Sequence, residues 1–339
     1  SYLPLKIKPI KKSILAIKSI FQTKIPLQVA WKYDKGLNRM IKNYADKIQP
    51  DVILCQLIRM SEYAKHLDYP KVIDYMDAFS ESMKKRSRVV GFPLKYFYLR
   101  EGVILSEYER QIKTSFDAYA TISKKDATLL NLRYDKKTLV IPNGVDTQYF
   151  VNKNNKPSAA YDVGFVGNLS YLPNIHAVEF MYTNIYKNLS NLTFLISGAD
   201  PAPRIHSLKS KNFNVTGWVD DIRESYQDIA IFVAPIFAGT GQQNKILEAM
   251  SMGIPCITTQ AVNDSIEAKD GTEIIIANTS KEFIDSILML RKDHNAMLGI
   301  GSKGRDFVMK KYTWDKHVNK LEKIFEIATY EYNRKRDNI

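Results

Sequence analysis

The side chains best suited to chemistry in this sequence are a lysine and a glutamate three positions apart, Lys245 and Glu248. They lie in Ala234-Pro-Ile-Phe-Ala-Gly-Thr-Gly-Gln-Gln-Asn-Lys-Ile-Leu-Glu-Ala-Met-Ser-Met-Gly253, where an apolar run ends at Pro235, a glycine-bearing loop follows, and a helix begins near Gln242. Gly241, Lys245, Glu248 and Met252 fall at i, i+4, i+7 and i+11, so the lysine and the glutamate share one helix face. A lysine one turn from a helix start can meet a diphosphate, helped by the free N–H groups and the positive end of the helix dipole. The glutamate can accept two hydroxyl hydrogen bonds from a ribose. Gly239 and Gly241 permit close backbone approach. The same two residues could equally form an exposed ion pair on a surface helix, worth only ~0.2–0.5 kcal/mol. Context has to decide between these readings.

That context is a series of short apolar strands alternating with helices, the pattern of parallel sheets covered by helices. In the first half, strands are expected at Val52–Cys55, Lys71–Tyr75, Ala118–Ile122 and Thr138–Ile141, with a long helix from Pro93 to Phe116 and a second capped by Ser123. Asn152–Ala159 is polar and makes the best linker. The series then resumes with strands at Tyr161–Val166, Leu192–Ile196, Asn214–Val215, Ile229–Ala234, Pro255–Thr258 and Ile274–Ala277. Ile229–Ala234 is apolar throughout, as suits a central parallel strand. Ligands in such sheets bind beyond the carboxyl ends of the strands, where Lys245 and Glu248 are expected. Residues 1–50 show no strand, glycine turn and helix in succession, so at least one βαβ unit is expected to be missing from the first domain.

Length and composition agree with two globular domains: 339 residues, 45% hydrophobic and 25% charged. The 49 Lys and Arg outnumber 36 Asp and Glu for a net charge of +13. The excess is spread along the chain and suits either a solvated basic surface or attraction to an anionic membrane. No RNA-binding signature, zinc finger or recognition helix accompanies it, which argues against nucleic acid. No stretch approaches the ~20 apolar residues of a membrane span, so a soluble or peripheral protein is expected. Cys55 and Cys256 lie far apart in apolar runs, the pattern of core thiols in a reducing compartment. The five histidines are scattered and form no metal-binding pair. Asp220 and Asp221 suit turn and helix-cap work better than a metal.

Four segments, taken together, carry a resemblance. Ile141-Pro-Asn-Gly-Val-Asp-Thr-Gln-Tyr-Phe150, Val163-Gly-Phe-Val-Gly-Asn-Leu169 with Pro173-Asn174, Val215-Thr-Gly-Trp-Val-Asp-Asp-Ile-Arg223 and Lys245-Ile-Leu-Glu-Ala-Met-Ser-Met-Gly-Ile-Pro255 occur in this order over about half the chain. The sequence thereby resembles the group-one retaining glycosyltransferases of the GT-B fold. It is similar to sugar transferases of bacterial exopolysaccharide systems, which also carry a segment like Val72-Ile-Asp-Tyr-Met-Asp-Ala-Phe-Ser80. The resemblance implies two Rossmann-like domains facing a cleft: residues 1–151 on the acceptor side, residues 152–318 on the donor side, and a final helix, 319–339, crossing back to the first domain.

It also implies roles residue by residue. Gly167 and Asn168 would face the donor diphosphate, and Gly217 and Val219 would hold the base through their backbone. The backbone of Gly239, Thr240, Gly241 and Gln242 would line the sugar-phosphate site. Lys245 would neutralise the leaving diphosphate, and Glu248 would bind the ribose. Asn143 and Gly144 are better suited to shaping a turn. Thr240 stands where many members carry a glutamate, which leaves the sugar contact to the loop backbone, Thr240 itself or Gln242. Many relatives have a histidine on the acceptor side, after a strand near the one ending at Tyr75, and this chain offers Asp74 and Asp77 there instead. Asp77 is the candidate for an acceptor-hydroxyl contact, with a helix N-cap or a loop acid as the alternative.

The expected function is transfer of a sugar from a nucleoside-diphosphate sugar to a glycan or lipid-linked acceptor hydroxyl with retention, without metal or other cofactor. The expected setting is bacterial polysaccharide synthesis, in the cytoplasm or peripherally at the inner membrane face. Lys6–Lys24, basic and amphipathic, is the segment expected to meet anionic lipid. A catalytically silent sugar-nucleotide or glycan binder is the alternative, and a sugar-nucleotide epimerase ranks behind it.

Overall fold

A computed structural model describes residues 25–152, 159–237 and 241–337. The linker proposed at 152–159 falls almost entirely outside the described residues, as do Lys6–Lys24, Gly239 and Thr240. The chain divides into two compact units: residues up to Pro142 together with Val318 onward, and Asn143–His317.

In the first unit a short helical turn at Leu27–Ala30, with Val29 buried in the core, precedes helix α1 (Lys35–Ile48), whose N-cap Asp34 accepts a hydrogen bond from the Leu37 N–H. Four parallel strands follow in sheet order β1 (Ile53–Gln56), β2 (Lys71–Asp74), β3 (Ala118–Thr121) and β4 (Thr138–Val140). Between β2 and β3 run helices α2 (Phe79–Val89) and α3 (Leu94–Ile112), packed as an antiparallel hairpin. After β3 comes α4 (Lys124–Leu129), with the Ser123 hydroxyl capping the Asp126 N–H. All of β3 is buried, because helices cover both faces of such a sheet.

The second unit is a six-stranded parallel sheet built from β5 (Tyr161–Val166), β6 (Phe194–Ser197), β7 (Phe213–Val215), β8 (Ile229–Ala234), β9 (Cys256–Thr258) and β10 (Ile275–Ile276). Its order is β10-β9-β8-β5-β6-β7. The chain starts at β5 in the middle, winds outward to β7, then returns to β8 and winds the other way. That is the doubly wound arrangement of dinucleotide-binding domains, with its switch point between β5 and β8. Helices α5 (Leu172–Phe180), α6 (Ile222–Gln227), α7 (Asn244–Ser251), α8 (Gln260–Ile266), α9 (Ser280–Lys292) and α10 (His294–Lys311) cover the sheet. Thr279 and Glu282 close a capping box at the start of α9.

The last helix, α11 (Trp314–Asp337), belongs to the first unit from Val318 onward. There Ile324 and Ala328 are fully buried against Val72, Ala118, Ala120 and Ile141. Lys335 reaches Asp117 at 2.7 Å and Lys137 reaches Glu331 at 3.1 Å. Both cysteines are buried and free. Burial pushes the Cys55 thiol up to about 12 and raises that of Cys256 as well, so neither is a ready nucleophile.

Candidate functional site

The second unit holds a cavity of about 340 Å³ beyond the carboxyl ends of β5, β6 and β7. Three post-strand loops contribute to its wall: Gly167 and Asn168 after β5, Gly198 and Ala199 after β6, and Trp218, Val219 and Asp220 after β7. Helix α6 adds Ile222 and Tyr226, helix α7 adds Lys245 and Glu248, and Tyr149 closes one side. The structure thus brings Gly167, Asn168, Val219, Lys245 and Glu248 to one place. Gly217 lies in the same post-β7 loop, outside the cavity wall, with open space where a Cβ would stand.

Two glycines let the strand ends approach each other. A Cβ on Gly198 would lie 1.8 Å from the Gly167 carbonyl oxygen, and Gly198 has φ +149°, so only glycine fits. A Cβ on Gly167 would come within 3.0 Å of the Lys245 Cε. The lysine therefore lies directly over this glycine, at the switch point where α7 follows β8.

Helix α7 starts at Asn244 with no side-chain cap, and of its first N–H groups that of Ile246 bonds the Gln243 carbonyl at 3.0 Å. Lys245 stands in its first turn. Its ammonium donates to Asn174 Oδ1 at 2.7 Å and to Gln243 Oε1 at 3.1 Å, and lies 5.4 Å from the Phe165 ring centroid. Desolvation lowers its pKa to about 8, although the nearby Glu248 carboxylate acts the other way. Neutral oxygens and a ring face hold this ammonium in a half-buried position, without the full compensation that an anion would give.

Glu248 accepts a hydrogen bond from the Tyr226 hydroxyl at 2.7 Å. Burial raises its pKa above the ordinary value, opposed by Tyr226 and Lys245. The Tyr226 hydroxyl is itself within 3.2 Å of the Lys245 carbonyl, which ties the glutamate to the helix that carries it. One carboxylate oxygen is thus fixed by Tyr226, and Glu248 faces the cavity beside it.

Sequence reasoning missed two positioning residues. Asn174 is buried in the first turn of α5, bonding Lys245 through Oδ1 and the Asn168 carbonyl through Nδ2 at 2.8 Å. A poor helix former directly after Pro173 was the available signal. Tyr226 gave none, because an aromatic on a short amphipathic helix reads as core.

Gln242 was a candidate for the sugar contact. Its side-chain amide bonds the Asn143 main chain at both ends: Oε1 accepts from the Asn143 N–H and Nε2 donates to the Asn143 carbonyl, each at 3.1 Å. It clamps the Pro142-Asn143-Gly144 turn to the approach of α7. Gly241, with φ +79°, provides the bend before it. The turn has a packing role, since a Cβ on Gly144 would lie 2.8 Å from the Trp314 Cα.

Asp221 is the N-cap of α6 and is paired with Arg223, which holds its carboxyl well below the usual carboxylate range. The Arg223 guanidinium also lies 4.1 Å from the Tyr149 ring centroid. The cap reading of the Asp220–Asp221 pair therefore holds for Asp221. Among the described residues no three His, Cys, Asp or Glu side chains cluster as metal ligands.

Asp77 belongs to the first unit, in the loop after β2, half-buried. It is not the cap of α2, whose N-cap is Ala78 without a side-chain bond. Its neighbour across the loop is Glu109, which accepts from the Ser80 N–H at 2.9 Å and the Ser80 hydroxyl at 2.5 Å. Burial raises Glu109 to about 7, and the Asp77 charge adds to the shift.

A parallel doubly wound sheet with lysine, glutamate and glycine loops beside its switch point is an arrangement in which open α/β sheets bind ligands. Comparison with known proteins carries this further. Residues 160–293, most of the second unit, match the family model of glycosyl transferases group 1. Sucrose-phosphate synthase from Thermosynechococcus elongatus superposes with a TM-score of 0.69 at 12% identity, over 86% of this chain and 76% of that one. HepE of Anabaena, solved in complex with UDP, gives 0.67 at 15% identity, over 86% and 82%. An uncharacterized 44.6 kDa protein in the cps region of Klebsiella pneumoniae is 22% identical over 232 residues, 64% of this chain. The present chain spans 58% of that relative's length. The fold is GT-B, and most of the second unit is similar to the group 1 glycosyltransferases.

Proposed function

We propose that the protein transfers a sugar from a nucleoside-diphosphate sugar to an acceptor hydroxyl, with the donor in the cavity of the second unit. The observation that carries this reading is the joint presence of Lys245 and Glu248 on one cavity wall, over the Gly167 loop. The lysine and the uncapped start of α7 suit a diphosphate, and the glutamate, oriented by Tyr226, suits ribose hydroxyls. Val219, on the cavity wall, would meet the base through its backbone. HepE, of the same fold, has also been solved with UDP-glucose, which supports a sugar nucleotide as donor class here.

In catalysis the ammonium of Lys245 would stabilise the negative charge that gathers on the diphosphate as the glycosidic bond breaks. A cationic side chain and a helix dipole do this without a metal ion. Retention of anomeric configuration, and acceptor binding by the first unit with Asp77 as a hydroxyl contact, complete the proposal. A glycan or lipid-linked acceptor of a bacterial polysaccharide pathway fits the cps-region relative. A cytoplasmic protein working peripherally at the inner membrane face fits that acceptor. No helix among the described residues is long and apolar enough to cross a membrane.

The test is calorimetric binding of UDP-, GDP- and ADP-sugars to wild type, Lys245→Ala and Glu248→Ala. Diphosphate release is followed in the same samples with membrane extracts as acceptor. Selective binding lost in both variants, with release by wild type, supports the transferase, and NMR of the product anomer checks retention. Binding without release from any acceptor would assign a silent binder. Absence of donor binding would overturn the site.

A further inference from the structure

The helical hairpin of the first unit has an apolar, basic tip. From Ser82 to Arg100 the sequence holds six bases, Lys84, Lys85, Arg86, Arg88, Lys95 and Arg100, and no acid. At the turn between α2 and α3, and on the first turns of α3, Phe92 is 84% exposed, Tyr96 64%, Leu94 54% and Leu99 45%. The Phe92 and Tyr96 rings meet edge to face with centroids 6.1 Å apart, so the aromatics form one cluster. Below the tip the hairpin is tightly joined. A Cβ on Gly102 would lie 2.9 Å from the Lys84 Cγ and 3.3 Å from the Ser80 carbonyl, and Glu109 holds the Ser80 N–H and hydroxyl. The tip is therefore presented on a rigid support.

We propose that this tip docks the protein on an anionic lipid surface, with Phe92, Leu94, Tyr96 and Leu99 entering the headgroup region and the surrounding bases meeting lipid phosphates. Aromatic side chains favour that interface, and basic residues beside it add electrostatic attraction. Contiguous exposed apolar groups are rare on soluble proteins unless something covers them. Charge selects the occupant. Lys84 is paired with Glu81 at 2.6 Å, but a second copy seated symmetrically would still bring Arg86, Arg88 and Lys95 against their own counterparts, which is repulsive. The sequence carries no nucleic-acid-binding signature to accompany these bases. Docking would bring the first unit to a lipid-borne acceptor, and only this purpose rests on the glycosyltransferase reading.

The experiment is co-sedimentation of the full chain with vesicles of phosphatidylcholine alone or mixed with phosphatidylglycerol. Wild type is compared with Phe92→Ser/Tyr96→Ser and with Arg86→Glu/Arg88→Glu, all side chains exposed enough for the fold to survive. The expected result is binding to the mixed vesicles only, weakened roughly a hundredfold by the double charge reversal and strongly by the aromatic pair. Circular dichroism and donor affinity without vesicles should stay unchanged, so failure here is separable from failure of the donor site. Equal binding to neutral vesicles, no binding, or binding that neither variant weakens would overturn the proposal. A change in oligomeric state in the variants, with no vesicle binding by wild type, would overturn it in favour of a second copy.

Discussion

If the Lys245 ammonium holds the donor diphosphate, donor affinity must follow that ammonium's titration. In the free protein its pKa stands at about 8, and a bound diphosphate favours the charged form, so the pKa is higher in the complex. Below pH 8 the lysine is mostly charged and affinity should be flat. Above it, binding must take up a proton. At pH 9 about one molecule in ten is competent, so Kd should rise about tenfold, or about 1.4 kcal/mol. Titration calorimetry with a sugar nucleotide from pH 6.5 to 9, at constant ionic strength and in two buffers of different ionisation enthalpy, reads both the slope and the proton uptake. Lys245→Met should bind at least about thirtyfold more weakly at pH 7, since removing one partner of a buried charge pair costs about 2–5 kcal/mol. Its affinity should not share the pH slope, and it also controls for titration of the ligand. A wild-type profile flat through pH 9, or a slope that survives in Lys245→Met, would refute the assignment of the diphosphate to this lysine.

Three further outcomes are expected. Glu248→Ala should weaken ribonucleotide binding by at least about tenfold and abolish the preference for a ribonucleotide over its 2′-deoxy analogue. Tyr226→Phe should produce a smaller loss in the same comparison, about threefold to tenfold, and an unchanged ratio in both variants would remove the ribose role. Gly198→Ala should destabilise the second unit by about 3 kcal/mol or more, read by urea unfolding, because its Cβ would lie 1.8 Å from the Gly167 carbonyl oxygen. Glu109, ordinarily near 4.5 and raised to about 7 in the fold, should make the first unit pH-sensitive. Its contribution is fully present below pH 4.5 and lost as pH rises through 7, an amplitude up to about 3 kcal/mol. Glu109→Gln should flatten that part of the stability profile, and an unaltered profile would show that another group is responsible.

What the sequence determined by itself was local periodicity and local chemistry. Ile229–Ala234 was legible to the residue as a strand, because a strand buried on both faces is an uninterrupted apolar run, and Tyr161–Val166 was equally legible despite Asp162. The Ser123 cap and the i, i+3 placement of Lys245 and Glu248 were legible for the same reason: each depends on neighbours along the chain. The helix pair before the turn was less so. Helix α2, rich in Lys, Arg and Ser and poor in apolar residues, was not anticipated.

Only the tertiary structure decided how those local pieces meet. The Gln242 side chain turned out to clamp Asn143, a partner 99 positions away. Asn174 and Tyr226 proved to orient Lys245 and Glu248 from helices 71 and 22 positions distant in sequence. A hydrogen bond of this kind leaves no periodic trace, since either residue alone has an adequate local explanation. The same holds for burial. The lowered pKa of Lys245 is a property of the post-β5 loop, the Phe165 ring and the α7 helix closing around one ammonium, and that enclosure exists only once the sheet has wound both ways from its switch point.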